Sequence, residues 1–91
     1  MHKKETWLIG KVVERLRRER RMSQEELAFE SGISREFLIK IETNKSEPGL
    51  GTTSALAYAL GMRPNELVKI IEESPNTEFG TRKNPNSEQN Q

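Results

Sequence analysis

The chain has 91 residues, with fifteen Lys and Arg against fourteen acidic residues, one histidine and no cysteine. A chain this short has apolar surface for one small core and not for two domains. The missing cysteines exclude a disulfide framework, a thiolate zinc site and a cysteine nucleophile. Every acid is a glutamate and the one histidine is His2, near the terminus, so few metal or acid-base constellations can be assembled. No enzyme activity, metal or cofactor is expected. No apolar run approaches the roughly 18 residues of a membrane span, and Trp7-Leu8-Ile9-Gly10 meets Lys11 too soon to be a secretory core. A cytoplasmic protein without a membrane partner is expected.

Charge is unevenly placed along the chain. Residues 1–45 carry eleven basic and eight acidic side chains, and residues 46–91 carry four and six. A polycation that coats nucleic acid indiscriminately is thereby excluded, and any nucleic-acid role must be local and geometric.

From Thr6 to Arg21, Leu8, Ile9, Val12, Val13 and Leu16 fall on one face of an amphipathic helix, with Thr6 as its N-cap. Ser23-Gln24-Glu25-Glu26 reads as a capping box that opens a second helix, which runs to Glu30 or Ser31 and ends at Gly32. Ser34 caps a third helix, Arg35 to Glu42, and residues 44–49 form a loop. A fourth helix is predicted over Thr52 to Leu60, stopped by Gly61, and Pro64 starts a fifth over residues 64–73. The apolar stripe of the fifth helix, Leu67, Val68, Ile70 and Ile71, spans about 160°, more than the roughly 100° that one core face needs. A homodimer interface is expected there. The domain is predicted over residues 6–73, between a flexible N-terminus (1–5) and a polar tail (74–91). Beyond residue 73 only Phe79 is hydrophobic, so that tail is expected to be disordered.

The second and third helices, joined by a tight turn containing glycine, have helix-turn-helix spacing: Gln24, small Ala28, Gly32, then Leu38 and Ile41. The spacing also suits a small helical bundle that binds another protein and no nucleic acid.

Several motifs agree with one family in order and spacing. Arg17, Arg21-Met22-Ser23-Gln24-Glu25-Glu26-Leu27-Ala28, Ser31-Gly32-Ile33-Ser34, Ile41-Glu42 and Ala57-Tyr58-Ala59-Leu60-Gly61 resemble the Cro and phage-repressor type of helix-turn-helix regulator, often called the xenobiotic-response-element family. The resemblance covers residues 8–72. It implies an all-α, five-helix domain that binds a double-stranded DNA operator as a homodimer and regulates transcription. A phage-type repressor, a restriction-modification controller and an antitoxin are all compatible with this size, the last implying a protein partner as well. Three positions depart from the family pattern: Arg21 and Asn44, where glycine is usual, and Thr53, where an apolar residue usually opens the fourth helix.

At 100° per residue, Arg35, Glu36, Ile39, Lys40 and Thr43 share the outer face of the third helix, opposite Phe37, Leu38 and Ile41. These five are the candidate base readers: Arg35 suits guanine, Glu36 a cytosine amino group and Ile39 a thymine methyl. The resemblance implies a phosphate contact at Gln24, and Ser23, Ser34, Asn44, Lys45 and Ser46 are further candidate phosphate contacts. The resemblance also implies an internal salt bridge between Arg17 and Glu42. Arg15, Arg18, Arg20 and Arg21 read as a solvated basic face.

Overall fold

A computed structural model describes residues 8–74; the proposed flexible N-terminus, the Thr6 cap and the tail beyond Ser74 lie outside them. Five helices follow in order: α1 (Ile9–Glu19), α2 (Gln24–Ser31), α3 (Arg35–Glu42), α4 (Leu50–Ala59) and α5 (Pro64–Glu73). Among the described residues there is no strand, and no helix is long and apolar enough to cross a membrane.

The helix ends explain the boundaries. Ser23 accepts the Glu26 N–H at 2.9 Å while the Glu26 carboxylate accepts the Ser23 N–H at 2.8 Å, the reciprocal capping box expected from the sequence. Ser34 accepts the Phe37 N–H at 3.0 Å. Each of the first four helices ends on a left-handed residue: Arg21 (φ 57°), Gly32 (φ 73°), Asn44 (φ 62°) and Gly61 (φ 81°). After α3, for example, the Lys45 N–H reaches the Lys40 carbonyl at 2.8 Å and the Asn44 N–H the Ile41 carbonyl at 3.0 Å, which closes the helix in a Schellman motif. Two of these four residues, Arg21 and Asn44, are not glycine, and they are two of the three positions where the chain departs from its family pattern.

Three predicted boundaries shift. α1 opens at Ile9 with Leu8 as its N-cap, two residues later than a cap at Thr6 would place it. α1 stops at Glu19 rather than Arg21, because the Met22 N–H bonds the Arg17 carbonyl at 3.1 Å and that closure requires Arg21 to leave the helix. α4 starts at Leu50, two residues before the predicted Thr52, with Gly49 as its N-cap. There the Thr53 hydroxyl donates to the Gly49 carbonyl at 2.8 Å. Thr53 thus satisfies its polar group on its own helix, and a hydroxyl is tolerated where an apolar residue is usual.

The core is shared by all five helices. Val12, Val13, Leu16, Leu27, Ala28, Leu38, Ile41, Leu56, Ala57, Leu60, Leu67 and Ile71 form one buried cluster. α2 packs on α4 and α3, α1 on α3 and α5, and α4 on α5. Burial of this apolar surface stabilises the domain by about 25 cal/mol for each Å² removed from water.

Candidate nucleic-acid interface

Gly32 and Ile33 link α2 to the Ser34 cap of α3, and the buried inner face of α3 (Leu38, Ile41) fixes its rotation. Arg35, Glu36, Lys40 and Thr43 are consequently exposed on the opposite face, and Ile39 is half-buried beside them. Phe37 packs partly against the core. The hydroxyl of Thr43 is engaged, donating to the Ile39 carbonyl at 2.8 Å, so towards a ligand it can only accept.

Around this face, the six phosphate candidates occupy helix ends or the loop after α3. Ser23 and Ser34 are both caps whose oxygens already accept backbone N–H groups. Their own O–H donors are not consumed by those bonds. Asn44, Lys45 and Ser46 form the turn that leaves α3, with Asn44 and Lys45 exposed and Ser46 half-buried. Gln24 is half-buried and donates from Nε2 to Glu42 Oε1 at 3.0 Å.

That bond belongs to a buried network at the base of the site. Arg17 Nε donates to Glu42 Oε2 at 2.7 Å, Arg17 Nη2 to Glu42 Oε1 at 3.1 Å, and Arg17 Nη1 to the Met22 carbonyl at 2.9 Å. The two side chains are 8% and 2% exposed, so the fork is bidentate and largely dry. The hydrogen bond to Glu42 holds the Arg17 guanidinium above its ordinary pKa, against the opposing effect of burial. The network joins α1, the start of α2 and the end of α3.

Two contributors were not singled out by the sequence. Gly10 lies where α1 crosses the end of α3: a Cβ there would stand less than 3.0 Å from the Ile41 carbonyl oxygen and 2.7 Å from both the Glu42 carbonyl oxygen and Asn44 Oδ1. A lone glycine inside an amphipathic helical pattern was the available signal, since glycine is a poor helix former and permits backbones to approach closely. Arg20 is exposed, as expected of the basic face, and it also donates to the Leu60 carbonyl from Nε and to the Leu16 carbonyl from Nη1 at 3.2 Å. It thereby places a cation at the C-termini of α1 and α4, where the helix dipoles favour one. Arg15 and Arg18 do lie on an exposed face, each paired within its own helix to Glu19 (3.2 Å) and Glu14 (2.9 Å).

α5 divides its stripe. Leu67 and Ile71 are buried in the core of their own domain, Ile70 packs partly against it, and Val68 is half-buried outside that cluster. Leu67 and Ile71, one turn apart on the inner edge of the helix, are therefore taken up by the core of their own domain rather than left for a second copy. Among the described residues no group of three or more His, Cys, Asp or Glu is placed to hold a metal.

Comparison with known proteins fits this geometry. The family model described as helix-turn-helix matches residues 13–67, from the middle of α1 into α5. The chain belongs to the helix-turn-helix family. Among its relatives, the uncharacterized HTH-type transcriptional regulator y4dJ of Sinorhizobium fredii is 41% identical over 75 residues, covering 82% of this chain and 94% of that protein. Among solved structures, the restriction-modification controller protein C.AhdI of Aeromonas hydrophila is 36% identical with a TM-score of 0.62, over 65% of this chain and 89% of that one. The DNA-binding domain of the P22 C2 repressor superposes with a TM-score of 0.68 at 25% identity, over 78% of this chain and 95% of that one. The regulator thus has the five-helix fold of phage-repressor DNA-binding domains, and its kin are transcription regulators and repressors.

Proposed function

We propose that the regulator binds a two-fold DNA operator as a homodimer, laying α3 in the major groove of each half-site and controlling transcription by occupancy. The observation that carries this is the outer face of α3: Arg35, Glu36, Lys40 and Thr43 are exposed beside Ile39, on a helix whose inner face and C-terminal carboxylate are locked into the core and into Arg17. Arg35 in the first turn pairs with guanine, Glu36 accepts from a cytosine amino group, and Ile39 meets a thymine methyl. Lys40 and Thr43 complete the reading face. Ser23, Gln24, Ser34, Asn44, Lys45 and Ser46 hold phosphates on either side.

Two copies of α3 must lie about 34 Å apart to reach successive major grooves. The α5 residues that the core leaves partly exposed, Val68 and Ile70, are the proposed contacts between copies. Val68→Glu should leave the domain folded and yield a monomer in sedimentation at micromolar concentration; a dimer that persists shows that the copies meet elsewhere.

The functional test is titration of the protein against a duplex selected from random sequence and against its scrambled version, at several salt concentrations. Arg35→Ala should cost roughly 1–3 kcal/mol on the selected duplex and much less on the scrambled one. Lys45→Ala should weaken both alike and lower the salt slope by about one. Equal losses on both duplexes for Arg35→Ala would move Arg35 to the phosphate row. A wild-type protein that binds no duplex would leave the protein-interaction reading, for which Phe29 (83% exposed), Leu50 (80%) and Tyr58 (64%) are the available apolar contacts.

A further inference from the structure

Asn44 occupies a position where the family usually has glycine, and the left-handed backbone there (φ 62°) is one that asparagine tolerates at small cost. Its side chain is used in a way that glycine has no means of matching. The Gly10 N–H donates to Asn44 Oδ1 at 3.2 Å, across 34 residues of sequence, and joins the first turn of α1 to the end of α3. The partner is an N–H donor, so the amide atom turned towards α1 must be the oxygen. The Asn44 NH2 group is then left for another acceptor. Asn44 is exposed, and among the described residues Nδ2 donates to no group. It stands directly after Thr43 of the candidate reading face and directly before Lys45.

Gly10 makes this arrangement possible. With any Cβ at position 10, the Ile41 and Glu42 carbonyls and Asn44 Oδ1 would all be closer than real contacts allow, and the end of α3 would have to retreat. Glycine at 10 and asparagine at 44 are therefore one device: the first permits the close approach, and the second exploits it.

We propose that Gly10 and Asn44 form a latch that turns the Asn44 amide outward as a neutral hydrogen-bond donor to a DNA phosphate at the edge of each half-site. This rests on the DNA-binding reading above. Asn44 is the contact and Gly10 the positioning residue. The latch fixes the amide before DNA arrives, so little side-chain entropy is lost on binding. The donor carries no charge and displaces no counterion, which separates it from the neighbouring Lys45.

The test uses Asn44→Gly, which suits the left-handed backbone but has no amide, and Asn44→Asp, which keeps an oxygen for Gly10 and replaces the outward N–H2 with another oxygen. Melting curves establish that each variant is folded at the titration temperature. Asn44→Gly should weaken the selected and the scrambled duplex alike, by about tenfold, with the salt slope unchanged. Asn44→Asp should melt at or above the temperature of Asn44→Gly and bind more weakly still. Duplexes carrying single methylphosphonate linkages then locate the contact: one linkage per half-site should weaken the wild type and leave Asn44→Gly indifferent. If Asn44→Gly binds both duplexes as the wild type does, or if every neutralised linkage affects both proteins equally, the latch is structural only and the DNA-binding reading survives. If the wild type binds no duplex at all, both fall.

Discussion

Replacing Gly10 with alanine adds one methyl group in the first turn of α1, where the gain in helix propensity is at most the roughly 0.5–1 kcal/mol of a helix interior. Here it should destabilise. The new Cβ would sit 2.7 Å from the Glu42 carbonyl oxygen and Asn44 Oδ1 and less than 3.0 Å from the Ile41 carbonyl oxygen, whereas carbon and oxygen settle at about 3.3–3.6 Å. Two of the three obstacles are backbone atoms of α3, so no rotamer change relieves the contact and α1 must move away from α3 by about half an ångström or more. Overpacking of this kind costs about 1–3 kcal/mol, and loss of the Gly10 to Asn44 hydrogen bond adds about 1 kcal/mol. Set against the gain in helix propensity, the net destabilisation should be about 2 kcal/mol. For a domain of this size that lowers Tm by roughly 10 °C or more. The same substitution at Gly51, in the first turn of α4 with nothing within 4 Å of the added carbon, should raise Tm slightly. Thermal unfolding of the two variants side by side checks both. A Gly10→Ala protein that melts with or above the wild type would show that α1 and α3 do not meet as closely as the geometry requires, and it would weaken the latch as well.

Other substitutions test separate parts of the structure. Arg17→Met strands the buried Glu42 carboxylate and should cost about 3–5 kcal/mol in denaturant unfolding, whereas the pair Arg17→Met with Glu42→Leu should recover much of that loss. Because the folded-state pKa of Arg17 is raised, its contribution is fully present below the ordinary guanidinium range and is lost only as pH rises above it. Arg21→Gly should stabilise by up to about 1 kcal/mol, since it relieves a left-handed residue with a Cβ at the cost of some unfolded-state entropy; a fall in Tm would mean that the Arg21 side chain contributes more than its backbone strains. The buried Ser31 hydroxyl oxygen has no partner among the described residues, so Ser31→Ala should raise Tm by a few degrees by removing an unsatisfied polar group.

Local signals in the sequence were enough for the bounds of α2, α3 and α5 and for the face of α3. Capping residues at Ser23 and Ser34, the closing glycines at 32 and 61 and Pro64 each act within a turn of their own position, so α2, α3 and α5 fall where the pattern places them. The rotation of α3 follows from the spacing of Leu38 and Ile41, because a helix has one inner face and its opposite is then determined. Arg17 and Glu42 lie 25 residues apart, and only likeness to a family suggested their bond. Non-local relations are what tertiary structure decided. Arg20 reads as one more basic side chain until α4 brings the Leu60 carbonyl to it. The stripe of α5 reads as surplus apolar surface until Leu67 and Ile71 prove to close the core of the same domain. Gly10 reads as a blemish in an amphipathic helix until α3 ends against it. In each case the partner is contributed by a distant segment, and a residue's own neighbours in sequence carry no record of which carbonyl, methyl or amide folding will set beside it.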